Sequence, residues 1–384
     1  MTRPAIAVAA AMLVTLVLGS VHAFSVFLAP LELQLGLPRS QISLIYSFAL
    51  VAITLSVTLG YRVYGLLPAA WLVLLTGGLA AAGLALAAVA SDWWTLFAGY
   101  SLAFGVSNGI GYGYCLQLAG RVMPQRQGFA MGAVTAAYAV GSIVFAQLIA
   151  WRIAAASVGS AFAAVAVVVL LCAMVAAAMM RFSGASYGVT EVCGDNPSYR
   201  LERRSLWQFW FAYLTSVFAG LMAIGHAAGI AQARGADVEL ATATAMAVGI
   251  GSALGGFVAG WLVDRWALSH FLVGLPLLSA LALLGIGSTG SAQVTLALLG
   301  IVGFSYGSII AIYPVAIANK FEQHGPQAYG RVFIAWGFAG LVAPWSAGFI
   351  FDRFADYQPA LLIAAAVALL SAISAAIFKL GKSA

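Results

Sequence analysis

Twelve apolar runs follow one another along this chain, each near the roughly 20 residues a helix needs to cross a hydrocarbon layer. They are read at 5–30, 41–60, 68–90, 94–119, 128–150 and 158–180, then at 207–231, 238–262, 270–288, 292–318, 328–350 and 358–379. Backbone N–H and C=O groups find no water in lipid, so a spanning segment must satisfy them internally. The runs have helical length rather than strand alternation. Between the sixth and seventh lies the only long polar interval, 181–206, carrying Arg181, Glu191, Asp195, Arg200, Glu202, Arg203 and Arg204. The expected fold is an all-α membrane protein with twelve transmembrane helices in two pseudo-symmetric six-helix bundles, 1–180 and 207–384, joined by a linker at 181–206.

Composition removes the main rivals. Charged residues make up 7% of the chain and hydrophobic residues 63%, whereas a soluble domain carries roughly 25% charged residues. The net charge is +6, but the basic residues are not gathered with aromatics on a polar face, so nucleic acid is not an expected partner. Cys115, Cys172 and Cys193 lack metal-ligand or disulfide spacing, and the first two are read as small apolar fillers. The first run follows Arg3 directly. It is longer than a signal-peptide core and no polar domain follows it, so it is expected to stay as an anchor. The phosphate-cradling pattern G-x-x-x-x-G-K-[ST] does not occur, which excludes nucleotide-driven pumping. No catalytic acid or nucleophile–base set lies in the runs, so neither an enzyme nor a cofactor is expected.

Loop charges give an orientation. One end of the bundle holds Arg3, Arg62, Arg121, Arg126, Arg181, Arg200, Arg203, Arg204, Arg265, Lys320, Arg331, Lys379 and Lys382. The other holds Arg39, Arg152, Arg234 and Arg353. Positive residues concentrate on the cytoplasmic side of a membrane protein. Both termini and the linker are therefore expected in the cytoplasm, in a multi-pass monomer of the cytoplasmic (inner) membrane, surrounded by lipid.

The halves show traces of a repeat. A shift of 200 sets Phe104 on Phe304, Gln127 on Gln327, Phe129 on Tyr329 and Ala139 on Ala339; a shift of 204 sets His22 on His226. Coincidence in Ala- and Gly-rich sequence competes with this reading. Two related halves would place a small-molecule site between them, near mid-membrane.

Ionisable groups inside a bilayer are costly and therefore candidates for function. The runs hold no Asp or Glu at mid-length, and Glu32 sits at the end of the first. His22 and His226 remain, each on the first helix of its half. A protonated pair would attract a monocarboxylate and release it on deprotonation, which makes proton-coupled symport available without an acid. The alternative is two neutral imidazoles bonded to neighbouring carbonyls. Helical spacing puts His22, Ser25 and Ala29 on one face, Asn108, Tyr112 and Cys115 on another, and Tyr306 and Tyr313 on a third. Tyr46, Tyr138 and Trp336 complete an expected polar lining, able to hydrogen-bond a carboxylate without charge. Near helix ends such aromatics are equally well read as an interfacial belt. Gly105, Gly109 and Gly113 form a doubled G-x-x-x-G, read as close helix packing. Pro314 and Pro344 fall inside runs, where they would kink helices and suit a gate.

Residues 105–132, GVSNGIGYGYCLQLAGRVMPQRQGFAMG, and 303–352, GFSYGSIIAIYPVAIANKFEQHGPQAYGRVFIAWGFAGLVAPWSAGFIFD, bear on identity. With the two-bundle layout they resemble the major facilitator superfamily, and within it the oxalate/formate antiporter and monocarboxylate-transporter-like branch. The resemblance implies a secondary carrier of small organic anions working by alternating access. Members of that branch generally hold a cavity cation, on the eighth or eleventh span. Here Gly256 stands near the first place, Trp336 and Gly337 near the second, so an anchor for a dianion such as oxalate is missing. The family's cytoplasmic latch, G-x-x-x-D-R-x-G, is without its acid at Gly60–Gly65 and kept at Gly260, Asp264 and Arg265. The resemblance assigns these three to gating, where Asp264 would cap a helix end and Gly260 would let helices approach; Arg126 and the helix-kinking Pro314 and Pro344 are expected to join them.

Two other readings stand beside this one. Met222 and His226, one helical turn apart, suit Cu(I), with Met246 or His22 as further ligands, and would make a copper importer of the same fold. A membrane sensor or scaffold that has lost transport would explain the missing cavity charge.

Overall fold

The structure is a computed structural model and describes residues 3–187, 202–263, 265–321 and 324–380. Asp264, Cys193 and most of the linker lie outside the described residues. Among the described residues eleven helices are long and apolar enough to span a membrane. The exception is the fourth predicted run, which forms as α5 (Trp93–Leu96), a π-helical stretch (Phe97–Phe104) and α6 (Gly105–Val122). The glycines, Ser107, Asn108 and Gln117 dilute its apolar character, which a helix covered largely by protein tolerates.

The chain divides into two compact units. Unit 1 comprises Met1–Val21 and Phe48–Arg200; unit 2 comprises His22–Ser47 and Leu201–Ala384. Unit 1 contains α1 (Pro4–Leu18), α4 (Ala69–Ala88), α5, α6, α7 (Gln127–Ala155) and α8 (Val158–Ser183). The chain continues from α1 as a 3₁₀ helix (Gly19–Val26), then α2 (Leu28–Leu35) and α3 (Arg39–Leu59), which begins in unit 2 and ends in unit 1. Unit 2 adds α9 (Arg203–Gln232), α10 (Val238–Leu262), α11 (Leu268–Ser288), α12 (Ala292–Phe321), α13 (Gly325–Phe354) and α14 (Gln358–Ile377). Local chemistry marks the ends. Ser157 and Ser160 form a reciprocal capping box on α8, Asp237 caps Leu240 N on α10, and Gly36 and Gly184 close their helices with left-handed backbones.

Helices within each unit meet backbone to backbone. In unit 1 a Cβ on Gly105 would lie 3.0 Å from Ala49 O, and one on Gly109 2.5 Å from Ile53 O. In unit 2 a Cβ on Gly303 would lie 2.2 Å from Val248 O, and one on Gly307 1.9 Å from Ser252 O. Gly105 matches Gly303 and Gly109 matches Gly307 at a shift of 198, and their partners match at 199. The repeat is thus present as a recurring packing motif, but in a register different from the 200 suggested by Phe104 and Phe304. What recurs is the pair of glycines that lets a helix through, because no larger residue fits there.

The helix α9 forms the centre of unit 2. Nearly every residue from Ala212 to Ala231 is buried, so the helix is apolar all round rather than on one stripe. Its small residues are seats for neighbours. A Cβ on Gly220 would meet the Tyr306 ring at 2.4 Å, and one on Gly229 would meet the Tyr357 hydroxyl at 2.7 Å.

Candidate functional site

Among the described residues one Arg, Lys, Asp or Glu side chain is buried: Arg39, 8% exposed, at the start of α3. A buried guanidinium needs a counter-charge and acceptors for its fork of donors. Glu32, on α2 across the turn at Gly36, provides both, taking Arg39 Nε and, at 2.8 Å, Nη2. The third arm, Nη1, donates to the Tyr357 hydroxyl at 3.0 Å, and the guanidinium lies 3.9 Å over the Phe351 ring. The backbone N–H groups of Arg39 and Ser40 both donate to the Asp352 carboxylate at 2.8 Å, so the end of α13 caps the start of α3.

The network continues to His226, which is 0% exposed on α9. Its Nε2 is 2.7 Å from Pro344 O, which can only accept, so Nε2 carries the proton. Ser43 Oγ, 3.2 Å away, shares that proton, because its own goes to Arg39 O at 2.8 Å. The other nitrogen, Nδ1, then accepts from the Tyr357 hydroxyl at 2.8 Å. Burial pushes the Tyr357 phenol above its ordinary range, with Arg39 pulling the other way, so it stays a donor. The result is one directional chain: Arg39 to Tyr357 to His226 to Pro344 O. Every atom of it lies in unit 2.

The same face of α3 reaches the other histidine. His22 Nδ1 is 2.9 Å from the Tyr46 hydroxyl, and the buried Tyr46 ring is stacked on Phe24 at 5.2 Å. The two histidines thus each meet a side chain of α3, His22 at Tyr46 and His226 at Ser43. His22 lies in the 3₁₀ stretch and is half-buried; the 3.6-residue spacing that grouped it with Ser25 and Ala29 does not apply at three residues per turn. Ser25 is buried and its hydroxyl has no hydrogen-bond partner among the described residues.

The remaining lining residues form two relays of one design. In unit 1 Tyr138, on α7, donates to Asn108 Oδ1 on α6 at 2.9 Å. In unit 2 Trp336 Nε1, on α13, donates to the Tyr306 hydroxyl on α12, also at 2.9 Å. The Asn108 amide in turn donates to Leu18 O at 2.7 Å, so both its ends are held by protein. It is a pin between helices rather than a ready ligand-binder. Tyr112 is half-buried, packed on Tyr138 at 4.8 Å between ring centres. Tyr313 is 0% exposed and packs against Tyr213 with the rings tilted, 4.6 Å between centres, so it faces α9.

The gating assignments fare unevenly. A Cβ on Gly260 would meet nothing within 4 Å among the described residues, so close helix approach is not what this glycine provides. Arg126 and Arg265 are exposed and Asp264 lies outside the described residues. Pro314 and Pro344 both sit inside continuous helices, and Pro344 contributes the carbonyl that fixes His226. Met222 is buried one turn from His226, but with Nε2 protonated and Nδ1 accepting from Tyr357 the imidazole has no lone pair to offer copper.

Sequence reasoning did not single out Arg39, Ser43, Asp352 or Tyr357. A signal existed. The Arg-poor end of the bundle carries Glu32, Asp92, Asp237, Glu239, Asp352 and Asp356 beside its four arginines. Mixed charge at a membrane-flanking end points to pairing, where a count of basic residues alone does not.

Comparisons with known proteins agree with this architecture. The profile described as Major Facilitator Superfamily matches residues 209–383. The uncharacterized MFS-type transporter YhjX of Escherichia coli (strain K12) is 22% identical over 332 residues, 84% of this chain and 82% of that protein. The oxalate:formate antiporter of Oxalobacter formigenes is 27% identical over 135 residues, 34% of this chain and 32% of that protein. Among solved structures, the D-xylose-proton symporter has a TM-score of 0.72 at 13% identity, covering 96% of each chain. The nucleoside transporter NupG has a TM-score of 0.71 at 12% identity, covering 97% of this chain and 99% of that one. At such identities these structures establish the shared fold alone.

Proposed function

We propose that this chain, a member of the Major Facilitator Superfamily and therefore a carrier rather than an enzyme, moves a small monocarboxylate-like organic anion across the cytoplasmic membrane. In this reading it is a secondary active transporter working by alternating access, with both termini in the cytoplasm. The observation that supports the cargo class is the neutral pair in unit 2, Trp336 donating to the Tyr306 hydroxyl. Groups of this kind hydrogen-bond a carboxylate but do not compensate two charges. The one buried cation among the described residues, Arg39, is already neutralised by Glu32, which supports a singly charged cargo over a dianion. The partial likeness to an oxalate:formate antiporter supports the carboxylate. In unit 2 we assign His22, Tyr306 and Trp336 to cargo contact.

The test is uptake of labelled formate, lactate and oxalate into proteoliposomes, with and without an inward-acid pH step and with and without internal anion. Formate or lactate uptake well above protein-free vesicles, and weaker in Tyr306→Phe and Trp336→Phe, is the expected result. Absence of uptake and of exchange for all three anions overturns the assignment. Acceleration by the pH step separates proton symport from exchange.

A further inference from the structure

We propose that the Glu32–Arg39–Tyr357–His226–Asp352 network is a proton-sensitive latch, closed while His226 is neutral and opened when His226 binds a proton. The latch ties the end of α2 and the start of α3 to α9, α13 and Tyr357, which precedes α14.

Closure rests on groups far apart in sequence. Asp352 holds the first two backbone N–H groups of α3, and Arg39 reaches Tyr357. None of these contacts survives if α3 leaves α13 and Tyr357. The three groups on α9, α13 and Tyr357 meet at His226, which accepts from Tyr357 and donates to Pro344 O. Gly229 is the seat of the Tyr357 hydroxyl, and Gly348, where a Cβ would lie 2.6 Å from Ser43 Oγ, is the seat of α3. The fit is built for this closed arrangement.

The protonation argument follows from the direction of each bond. A neutral His226 accepts at Nδ1. A protonated one has two donors, so Nδ1–H would point at the Tyr357 oxygen, which already accepts from Arg39. The phenol proton would lose its acceptor, and two cations would be joined through one phenol in a buried site. The groups facing His226 pull both ways, the Asp352 carboxylate attracting a charged imidazole and the Arg39 guanidinium repelling it. From α3 they are Arg39, Ser43 and Tyr46; from α13, Pro344 O and Asp352; beyond α13, Tyr357; and through Arg39, Glu32 on α2. Both carboxylates are already occupied, Glu32 by the guanidinium and Asp352 by backbone N–H groups. His22 lies nearby on Tyr46, and Arg234 at the same end is bonded to the Gln358 side chain at 2.8 Å. Withdrawal of Arg39 and Tyr357 removes the conflict. Protonation therefore favours the open latch, and by linkage an open latch favours protonation.

The experiment needs no cargo, so its outcome is separate from that of the uptake test. Spin labels are placed at Leu33→Cys on α2 and Phe354→Cys at the end of α13, both exposed, with Cys115→Ala, Cys172→Ala and Cys193→Ser as background. Distances are measured on full-length protein in lipid nanodiscs from about pH 8 to about pH 5, across the histidine range. The expected result is one short distance at high pH and a longer population that grows on acidification. His226→Gln, which keeps one donor and one acceptor but does not titrate, should stay short throughout. Tyr357→Phe, which keeps the ring but cuts the chain, should show the longer population at every pH. A wild-type distribution that does not change with pH overturns the proposal. So does an acid response retained in His226→Gln. If that variant does not fold, Tyr357→Phe decides: the wild-type distances with the wild-type acid response also overturn it.

Discussion

A side-chain amide held at both ends behaves differently from one left open to cargo. Asn108 donates to Leu18 O and accepts from Tyr138, inside unit 1. Asn108→Leu would strand the Leu18 carbonyl and the Tyr138 hydroxyl, at a cost of roughly 1–3 kcal/mol for buried polar groups left without partners. The expected outcome is a lower thermal unfolding midpoint in detergent, with any cargo affinity lost in proportion to the folded fraction and no further. Gly229→Ala makes the opposite kind of change, adding one methyl 2.7 Å from the Tyr357 hydroxyl. Overpacking of this sort costs about 1–3 kcal/mol. It should shift the labelled Leu33–Phe354 distance as Tyr357→Phe does, which separates a displaced hydroxyl from general loosening. His22 and His226 were legible as candidates because ionisable groups are rare in apolar runs. Their surroundings were not, because the partners Tyr46, Ser43, Pro344 and Tyr357 lie 24 to 183 residues away in sequence.

At the level of helices, spacing told the truth about faces and nothing about what they face. Tyr306 and Tyr313 do share one side of α12. Opposite them on α9 stand Gly220 and Tyr213, also seven apart: Gly220 seats the Tyr306 ring and Tyr213 packs against Tyr313. Period alone cannot distinguish a face turned to cargo from one turned to a neighbouring helix, since both exclude lipid. Glycines show the same limit. Gly260 and Gly307 look alike in sequence, yet a Cβ on Gly307 would sit 1.9 Å from Ser252 O while one on Gly260 would meet nothing among the described residues. Gly307→Val should therefore abolish accumulation of folded protein, because the obstacle is backbone and cannot turn aside. Gly260→Ala should fold with an unchanged unfolding midpoint. Size-exclusion profiles and thermal midpoints of the two variants check this; a stable Gly307→Val would refute the backbone-contact account of the α10–α12 seam.

For the whole molecule, the orientation drawn from the loop charges is itself testable. Reporter fusions active only outside the cytoplasm should be silent after Ala384 and active in the turn at residues 36–38, which would put the latch on the outer side; the reverse pattern would invert it. The predicted linker at 181–206 is trimmed at both ends, since α8 runs to Ser183 and α9 starts at Arg203. Taken alone, the sequence determined that the chain is a multi-pass membrane protein and that it is built of helices. Those properties depend on local quantities: the length of apolar runs, their separation by polar turns, and the recurrence of small residues that permit close packing. Only the tertiary structure decided that Arg39 is buried, that Asp352 and Tyr357 hold it across more than 310 residues of chain, and that His226 is thereby fixed as a neutral imidazole. Hydrogen bonds extend about 3 Å and depend on direction. Whether two groups far apart in sequence meet within that reach is a property of the folded helices together, and no local pattern encodes it.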